Sequence, residues 1–266
     1  MGAALESTVV MATITLVSAL TMLRDRSSRP ATRKARAWVA WLGVSDAMNC
    51  LLFFAAVKRV ITVAVLVHYL TPVLVAVAAP LVLGENLTRR TAGAVATSVA
   101  GLVVMLAPAS GLADRTAAWW AAIFAAGSAV FYASNVLVNK LVASEFSPSE
   151  AMFWHGVVAT PLLASLVPRG AWAAVDPRAA GFLALVAIGP GALAGLAYVW
   201  GLRRMPAAHA STLTLVEPLV AVFLGAAVYG EPFGLRTVIG GALILGASVV
   251  VMRSQVDPER GVASVT

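Results

Sequence analysis

YLTPVLVAVAAPLVLGENLTRR, at residues 69–90, recurs in altered form as LVEPLVAVFLGAAVYGEPFGLR, at residues 215–236. Each copy has a proline inside an apolar run of helical length, and each run ends at Gly-Glu with an arginine five residues later. The matching residues lie 146 positions apart in every case: Pro72 and Pro218, Glu85 and Glu231, Arg90 and Arg236. This period is far longer than that of solenoid proteins, so the sequence predicts a duplicated half-protein.

The composition is that of a membrane protein. The chain is 60% hydrophobic and 12% charged, with a mean hydropathy of +0.89, which is far from the composition of a soluble domain. Nine apolar runs are long enough to span a bilayer, so we predict an all-α polytopic protein whose partner is the lipid bilayer. The runs lie at about residues 5–23, 37–57, 61–83, 91–106, 117–142, 150–167, 179–202, 207–229 and 235–252. Gly189-Pro190-Gly191 predicts an interruption of the seventh run.

The basic residues predict the topology. The segment RDRSSRPATRKAR, at residues 24–36, has six basic residues and one acid, which places it in the cytoplasm. With this segment inside, thirteen of the 19 lysines and arginines fall on the cytoplasmic side. The C-terminus is then cytoplasmic and the N-terminus external. Because these basic residues lie in short gaps between apolar runs, the net charge of +7 indicates membrane topology and not a nucleic-acid partner.

This topology gives the two copies opposite orientations in the membrane. The predicted division is a first repeat of four helices, a joint, a second repeat of five helices and a polar tail, at residues 1–106, 107–116, 117–252 and 253–266. Two inverted repeats related by an axis in the membrane plane are typical of transporters that work by alternating access.

The repeated segments resemble the EamA-type branch of the drug/metabolite transporter superfamily, in which a spanning helix with an internal proline ends on Gly-Glu before a small-residue helix. The resemblance implies ten helices in two inverted five-helix halves around a central cavity. It also implies transport of amino acids, other metabolites or drug-like compounds, often outward. The first half of this chain has four spans, and aligning the repeats indicates that the family's first helix is lacking. Either Met1 is an internal methionine taken as a start, which we favour, or the chain truly lacks that helix.

Polar residues inside the predicted spans are costly in lipid, so they indicate a cavity or a partner. Asp46 lies near the middle of its span, and Asn49 follows one turn later. The fifth span has a continuous polar stripe, formed by Ser128, Tyr132, Asn135 and Asn139. For these residues we predict either substrate binding or ion coupling, or hydrogen bonds within the helix bundle.

A second set of candidates accompanies the two internal prolines. Ser211, Thr214 and Glu217 recur at a spacing of three residues, which places them on one helix face. His68, Tyr69 and Thr71 occupy the corresponding stretch of the first copy. We predict that this set binds substrate or carries a coupling proton. The alternative is that these residues hydrogen-bond within the bundle and to backbone groups freed by the prolines. A third set either stacks on a substrate ring or anchors the helices at the membrane interface: Trp154, His155, Tyr198 and Trp200.

Motifs of enzymes and ATP-driven pumps are absent from the sequence, which has no GxSxG, P-loop, HExxH or CxxC. We therefore predict a secondary transporter of the inner membrane, without cofactor or metal, that moves a small molecule, exports it, and couples to protons or sodium. A non-transporting scaffold or defective paralogue is the first alternative, and a polytopic membrane enzyme is the second. The substrate, the coupling ion and the choice between monomer and homodimer are not predicted.

Overall fold

The computed structural model describes residues 2–25, 30–106, 114–173, 175–229 and 234–256, and its regular elements in these ranges are all helical. The helices are α1 (Ala3–Met22), α2 (Arg33–Val57), α3 (Ile61–His68), α4 (Thr71–Leu83), α5 (Arg89–Leu106), α6 (Arg115–Leu141), α7 (Pro148–Ala164), α8 (Pro177–Val186), α9 (Ala194–Leu202), α10 (Ala207–Leu213), α11 (Val216–Tyr229) and α12 (Leu235–Val256). A π-helical turn, Ala187–Leu193, joins α8 to α9. The predicted joint and tail lie largely outside the described residues.

These elements form nine helical segments in the described part of the chain, in the order predicted from the apolar runs. Seven of them are long and apolar enough to cross a membrane. The prediction of nine such spans is therefore confirmed only in part, because α5 and α7 do not meet this standard. The α5 helix has 18 residues and begins with two arginines. The α7 helix has 17 residues and is about 26 Å long, which is less than the thickness of the hydrocarbon core.

The two segments that carry the repeated prolines are each divided into two helices. The break at Tyr69 and Leu70 precedes Pro72, and the break at Thr214 and Leu215 precedes Pro218. A proline has no N–H for the carbonyl four residues earlier and its ring collides with that carbonyl, so the preceding turn opens. The Thr71 hydroxyl donates to the His68 carbonyl at 2.7 Å, which is the carbonyl that Pro72 leaves without its helical partner.

The segment with Gly189-Pro190-Gly191 is continuous, so the predicted interruption is wrong. The chain passes through this sequence as one π-helical turn, and residues 177–202 form a single membrane-length segment. A π-turn accommodates a proline because its wider ring of hydrogen bonds shifts the carbonyl away from the pyrrolidine ring.

The helices pack into two compact units, each described here by itself. Unit 1 comprises Met1–Ala55 and Val130–Arg204, and unit 2 comprises Ala56–Ala129 and Met205–Thr266. In unit 1, α1 packs along α7 and the π-helical turn. In unit 2, α5 packs along α12. Each unit thus combines segments from both sequence halves, and the compact units are not the repeats.

The helix boundaries follow the 146-residue period of the repeat. Adding 146 to the bounds of α3 and α4 gives 207–214 and 217–229, which match α10 and α11 within one residue. Adding it to the start of α5 gives the first residue of α12. The same period makes α1 equivalent to α7, and α5 equivalent to α12. In each unit, the equivalent helices are also the two that pack most extensively against one another.

The α5 and α12 helices run antiparallel and approach very closely. A Cβ placed on Gly101 would lie 2.7 Å from the Gly240 carbonyl oxygen, and one on Gly240 would meet the Gly101 carbonyl oxygen in turn. Ala94 and Ala247 pack together further along the same two helices. In the repeat, Gly101 is equivalent to Ala247 and Ala94 is equivalent to Gly240. Replacing each residue of the Gly101–Gly240 contact by its equivalent therefore gives the Ala247–Ala94 contact.

We expect Thr71→Val to lower the free energy of unfolding, because the buried His68 carbonyl then loses the hydroxyl that bonds to it. The cost of such an unpaired group is about 1–3 kcal/mol. Thr212→Val is the matched control, since Thr212 is equally buried but its hydroxyl donates to the carbonyl of Ala208 inside a regular turn. Unfolding of both variants is measured in detergent. Equal losses in the two variants would contradict the role given to Thr71.

Candidate functional site

A polar cavity of about 180 Å³ lies within unit 1. The α6, α7 and α9 helices and the π-helical turn form most of its wall, with α1 and α2 completing it. Its lining residues are Ile14, Leu42, Asp46, Tyr132, Asn135, Val136, Asn139, Met152, His155, Gly191, Gly195, Tyr198 and Val199. No lysine or arginine occurs among the described residues of this lining.

Asp46 is the centre of a hydrogen-bonded group from three helices. Its Oδ1 atom accepts a hydrogen bond from Asn135 Nδ2 at 2.9 Å. Its Oδ2 atom lies 3.1 Å from His155 Nε2. The Asp46 side chain is 21% exposed, whereas that of His155 is 5% exposed. The histidine ring is therefore buried, while the carboxylate is partly exposed.

Gly43 explains why α2 and α7 come close enough for this contact. A Cβ at Gly43 would lie 2.5 Å from the His155 carbonyl oxygen and 2.6 Å from Val158 Cβ. Asp46 follows Gly43 by three residues, so both lie on the same face of α2. The absence of a side chain at Gly43 thus brings the Asp46 carboxylate against the His155 ring.

The His155 ring is held at both of its nitrogens. Its Nδ1 atom lies 3.1 Å from the Met152 carbonyl oxygen, which only accepts hydrogen bonds. Its Nε2 atom lies 3.1 Å from Asp46 Oδ2. These two contacts fix the orientation of the ring between its own helix and α2.

Two buried amide oxygens in the cavity lack a hydrogen-bond donor among the described residues: Asn135 Oδ1 and Asn139 Oδ1. The orientation of each amide is set by its nitrogen. Asn139 Nδ2 donates to the Asn135 carbonyl at 3.0 Å, and Asn135 Nδ2 donates to Asp46. Each such buried acceptor costs about 1–3 kcal/mol, and both oxygens are covered by surrounding protein atoms.

The structure brings some of the predicted site residues together. Asp46, Tyr132 and Asn135 line the one cavity, while Asn49 lies on α2 but is not among the lining residues. The polar stripe of α6 is divided between the units. Its C-terminal part lines the cavity, whereas Ser128 Oγ contacts His68 Nδ1 at 2.9 Å in unit 2.

The other predicted site residues belong to unit 2, where most are bonded to backbone groups. Thr71 and Ser211 are buried, and the hydroxyls of Ser211 and Thr214 donate to carbonyls of their own turn. Glu217 is exposed and accepts a hydrogen bond from Tyr69. A turn at Thr214 and Leu215 separates α10 from α11, so Ser211 lies on the first of these helices and Glu217 on the second.

His155 is the functional candidate that sequence reasoning missed as a partner of Asp46. The two residues are 109 positions apart, and no spacing rule connects an acid on one helix with a histidine on a distant one. The same holds for Tyr198, which we predicted as a stacking residue or an anchor and which lines the Asp46 cavity. The only available signal was that each residue is polar within an apolar run.

Seven helices long and apolar enough to cross a membrane, with an acid–histidine pair beside a cavity between them, indicate a multi-pass membrane protein. Comparison with known proteins agrees. The model of the EamA-like transporter family matches residues 4–107 and 119–253. An uncharacterized transporter of Archaeoglobus fulgidus is 27% identical over 216 residues, covering 80% of this chain and 75% of that protein. A crystal structure of a protein described without a function superimposes with a TM-score of 0.78 at 20% identity, over 95% of this chain and 89% of the other.

The chain belongs to the EamA-like transporter family. It is therefore a multi-pass membrane protein of the transporter class, and the resemblance noted in its repeated segments is confirmed. The structural likeness supports the fold.

Proposed function

We propose that this protein is a secondary active transporter that moves a small organic solute by alternating access, and that the Asp46 cavity is its site of substrate binding and coupling. The observation that carries this proposal is the acid–histidine pair of Asp46 and His155, 3.1 Å apart, on the wall of a cavity between apolar helices. An ionisable pair within membrane-spanning segments is costly, and its usual use is an ion or substrate pathway.

The proposed mechanism uses two halves that exchange roles. The contact between α5 and α12 supports this mechanism. The two helices are equivalent in the repeat, and they run antiparallel. Equivalent helices that run in opposite directions are what an axis in the membrane plane requires. The distribution of basic residues supports an inner-membrane protein with a cytoplasmic C-terminus, and the proposed direction of transport is outward.

Tyr69, Glu217 and the neighbouring hydroxyl groups of unit 2 are a second part of the proposed pathway. Glu217 is exposed in this structure and contacts the Tyr69 hydroxyl. A carboxylate in such a position within an apolar segment is expected to face water or a partner and not lipid. The proposed pathway also includes Thr71, Ser211 and Thr214. The Thr71 hydroxyl bonds to the His68 carbonyl at the helix break, and the hydroxyls of Ser211 and Thr214 bond to carbonyls of α10.

The test is a comparison of small molecules in the medium and in the cytosol, by mass spectrometry, for cells with and without the protein. We expect at least one compound to accumulate outside and fall inside when the protein is present. Its chemical class then names the substrate and its sign names the direction. The control is the Asp46→Asn protein at the same level in the membrane. Identical profiles in the presence and absence of the protein would contradict the proposal.

A further inference from the structure

We infer that a groove at one end of unit 1 binds a zwitterionic phospholipid whose headgroup has a phosphate and a primary ammonium group, as in phosphatidylethanolamine. The groove shares no lining residue with the Asp46 cavity. It is a lipid site and not a solute site, so it does not depend on the transport function proposed above.

Two contacts between neighbouring segments leave the groove open between them. It has a volume of about 470 Å³ and lies between the first turns of α2 and α7. Both helices begin at this end of unit 1, because Thr32, directly before α2, donates its N–H and its hydroxyl to the Glu145 carboxylate, in the connection before α7. Further along, the helices touch where Gly43 meets Val158. The eleven residues from Thr32 to Gly43 correspond to about 16 Å of helix.

The groove lies at the level where a bilayer changes from headgroups to hydrocarbon. The α2 helix is long and apolar enough to cross a membrane, so its first turns occupy the interfacial layer. Trp154 lines the groove and is 48% exposed, and tryptophan is enriched at this depth because its ring is apolar and its N–H is polar. A phospholipid is therefore the molecule that surrounds the open side of the groove.

Charged, aromatic and aliphatic side chains follow one another along the groove. On α7, Glu150, Trp154 and Val158 are spaced by four residues, so they lie on one helix face. On α2, Arg36 comes first and Val39 follows one turn later. This order is that of a phospholipid, in which the charged headgroup is followed by the glycerol and then by an acyl chain.

Arg36 provides the cation for the phosphate. Its Nε and Nη2 atoms donate to the Ala31 carbonyl at 3.1 and 2.9 Å, which holds the guanidinium group in place. The Arg36 side chain is exposed, and its Nη1 atom has no acceptor in the part of the chain that the structure describes. A guanidinium group suits phosphate oxygens because its N–H donors are fixed in one plane.

Glu145 and Glu150 provide the anions for the ammonium group. Both are half-buried on the groove wall. Glu145 is held by Thr32, and Glu150 accepts a hydrogen bond from the Ser147 N–H at 2.9 Å. An ionised carboxylate has about four acceptor sites, so both can accept N–H donors of an ammonium group in addition to these structural bonds.

The mixed charge of the groove selects among phospholipids. Its described lining has one cation and two anions, and the largely buried Arg203 lies beside it, where Nη1 donates to the Phe146 carbonyl and the charge acts on Glu150. A lipid with a net negative charge brings a second anion to the carboxylates and no cation. A choline headgroup has the cation but no N–H to donate. The primary ammonium headgroup supplies both.

The first experiment compares lipids on the delipidated protein, by native mass spectrometry in detergent. Phosphatidylethanolamine, phosphatidylcholine and phosphatidylglycerol with the same acyl chains are titrated separately, as is the soluble headgroup glycerophosphoethanolamine. We expect one phosphatidylethanolamine to bind with a Kd about fivefold or more below those of the other two lipids. The soluble headgroup is expected to bind about 100-fold more weakly, because it has no acyl chain to contact Trp154 and Val158.

Substitutions separate the two charges of the headgroup. Arg36→Gln is expected to weaken phosphatidylethanolamine and phosphatidylcholine alike, by about fivefold, because both present a phosphate. Glu145→Gln combined with Glu150→Gln is expected to bring phosphatidylethanolamine to the affinity of phosphatidylcholine, while glutamine keeps an acceptor oxygen at each position. Arg33→Gln is the matched control, since Arg33 is exposed in the same turn of α2 but does not line the groove. It is expected to leave both affinities within about twofold of the wild type.

Three results would overturn the inference. One is equal affinity of the wild type for the three lipids, or tightest binding of either of the other two, whatever the variants do. Another is binding of glycerophosphoethanolamine as tightly as the lipid, which would make the ligand a soluble phosphoester. The third is equal weakening by Arg33→Gln and Arg36→Gln, which would attribute the effect to general surface charge. The metabolite comparison tests transport independently of all three.

Discussion

Asp46→Asn is expected to reduce transport by about 100-fold or more, which corresponds to about 2.7 kcal/mol, since an ionisable group inside a membrane segment usually serves an ion or substrate pathway and the amide cannot carry a charge. The substitution preserves the shape of the site. The amide oxygen can still accept from Asn135 Nδ2, and the amide nitrogen can donate to His155 Nε2. The loss is therefore expected in transport and not in folding. Uptake or efflux of the compound found in the metabolite comparison is measured in vesicles.

Asp176→Asn is the matched control for this prediction. Asp176 caps α8 by accepting hydrogen bonds from Arg178 and Ala179, and asparagine caps a helix about as well as aspartate. Both variants therefore exchange one carboxylate for an amide, in unit 1, without loss of a structural bond. Full transport by Asp46→Asn would remove the acid–histidine pair from the mechanism, and loss of transport by both variants would point to a general effect of charge.

Gly240→Leu is expected to give the largest loss of stability. A Cβ on Gly240 would lie 2.7 Å from Met105 Cβ and 2.9 Å from the Met105 backbone nitrogen, so the α5 and α12 backbones must separate to admit any side chain. Overpacking of this kind costs about 1–3 kcal/mol, and more for a branched side chain. We expect the melting temperature in detergent to fall by about 5–10 °C and the amount of protein in the membrane to fall with it.

Gly246→Leu is the control on the same helix. Gly246 is exposed, and a Cβ there would meet no atom within 4 Å. Its substitution adds the same apolar volume and the same gain in helix propensity without touching α5. A similar fall in melting temperature for both variants would show that α12 tolerates bulk poorly along its whole length, and that the contact with Gly101 is not special.

The sequence predicted the course of the helices well because lipid imposes a simple rule. A segment such as residues 61–83 must be apolar for about 20 positions, and its limits are therefore visible in composition alone. The helix breaks near Pro72 and Pro218 have a local cause as well, because each proline removes a helical hydrogen bond to the turn before it. The π-helical turn was not predicted, because Gly-Pro-Gly fits a break and a widened turn equally well.

The site was predicted less completely than the fold. Asp46 and Asn135 were identified because each polar side chain is out of place in an apolar run. Their partner His155 was considered only for stacking, since the contact depends on how closely Gly43 lets two distant segments approach. A pairing between residues 109 positions apart is a property of tertiary packing, and the pattern along one helix carries no information about it.

The interleaving of the two sequence halves has a consequence for how the protein is made. The α1 helix of unit 1 packs along α7, which begins about 126 residues after α1 has ended (148 − 22). A ribosome adds about 5–20 residues per second, so α1 waits roughly 6–25 s before its partner begins to be synthesised. During that interval lipid or the insertion machinery must cover its small-residue face and its hydroxyl groups. Neither sequence half is a folding unit, and assembly of unit 1 is completed only once residue 204 has left the ribosome.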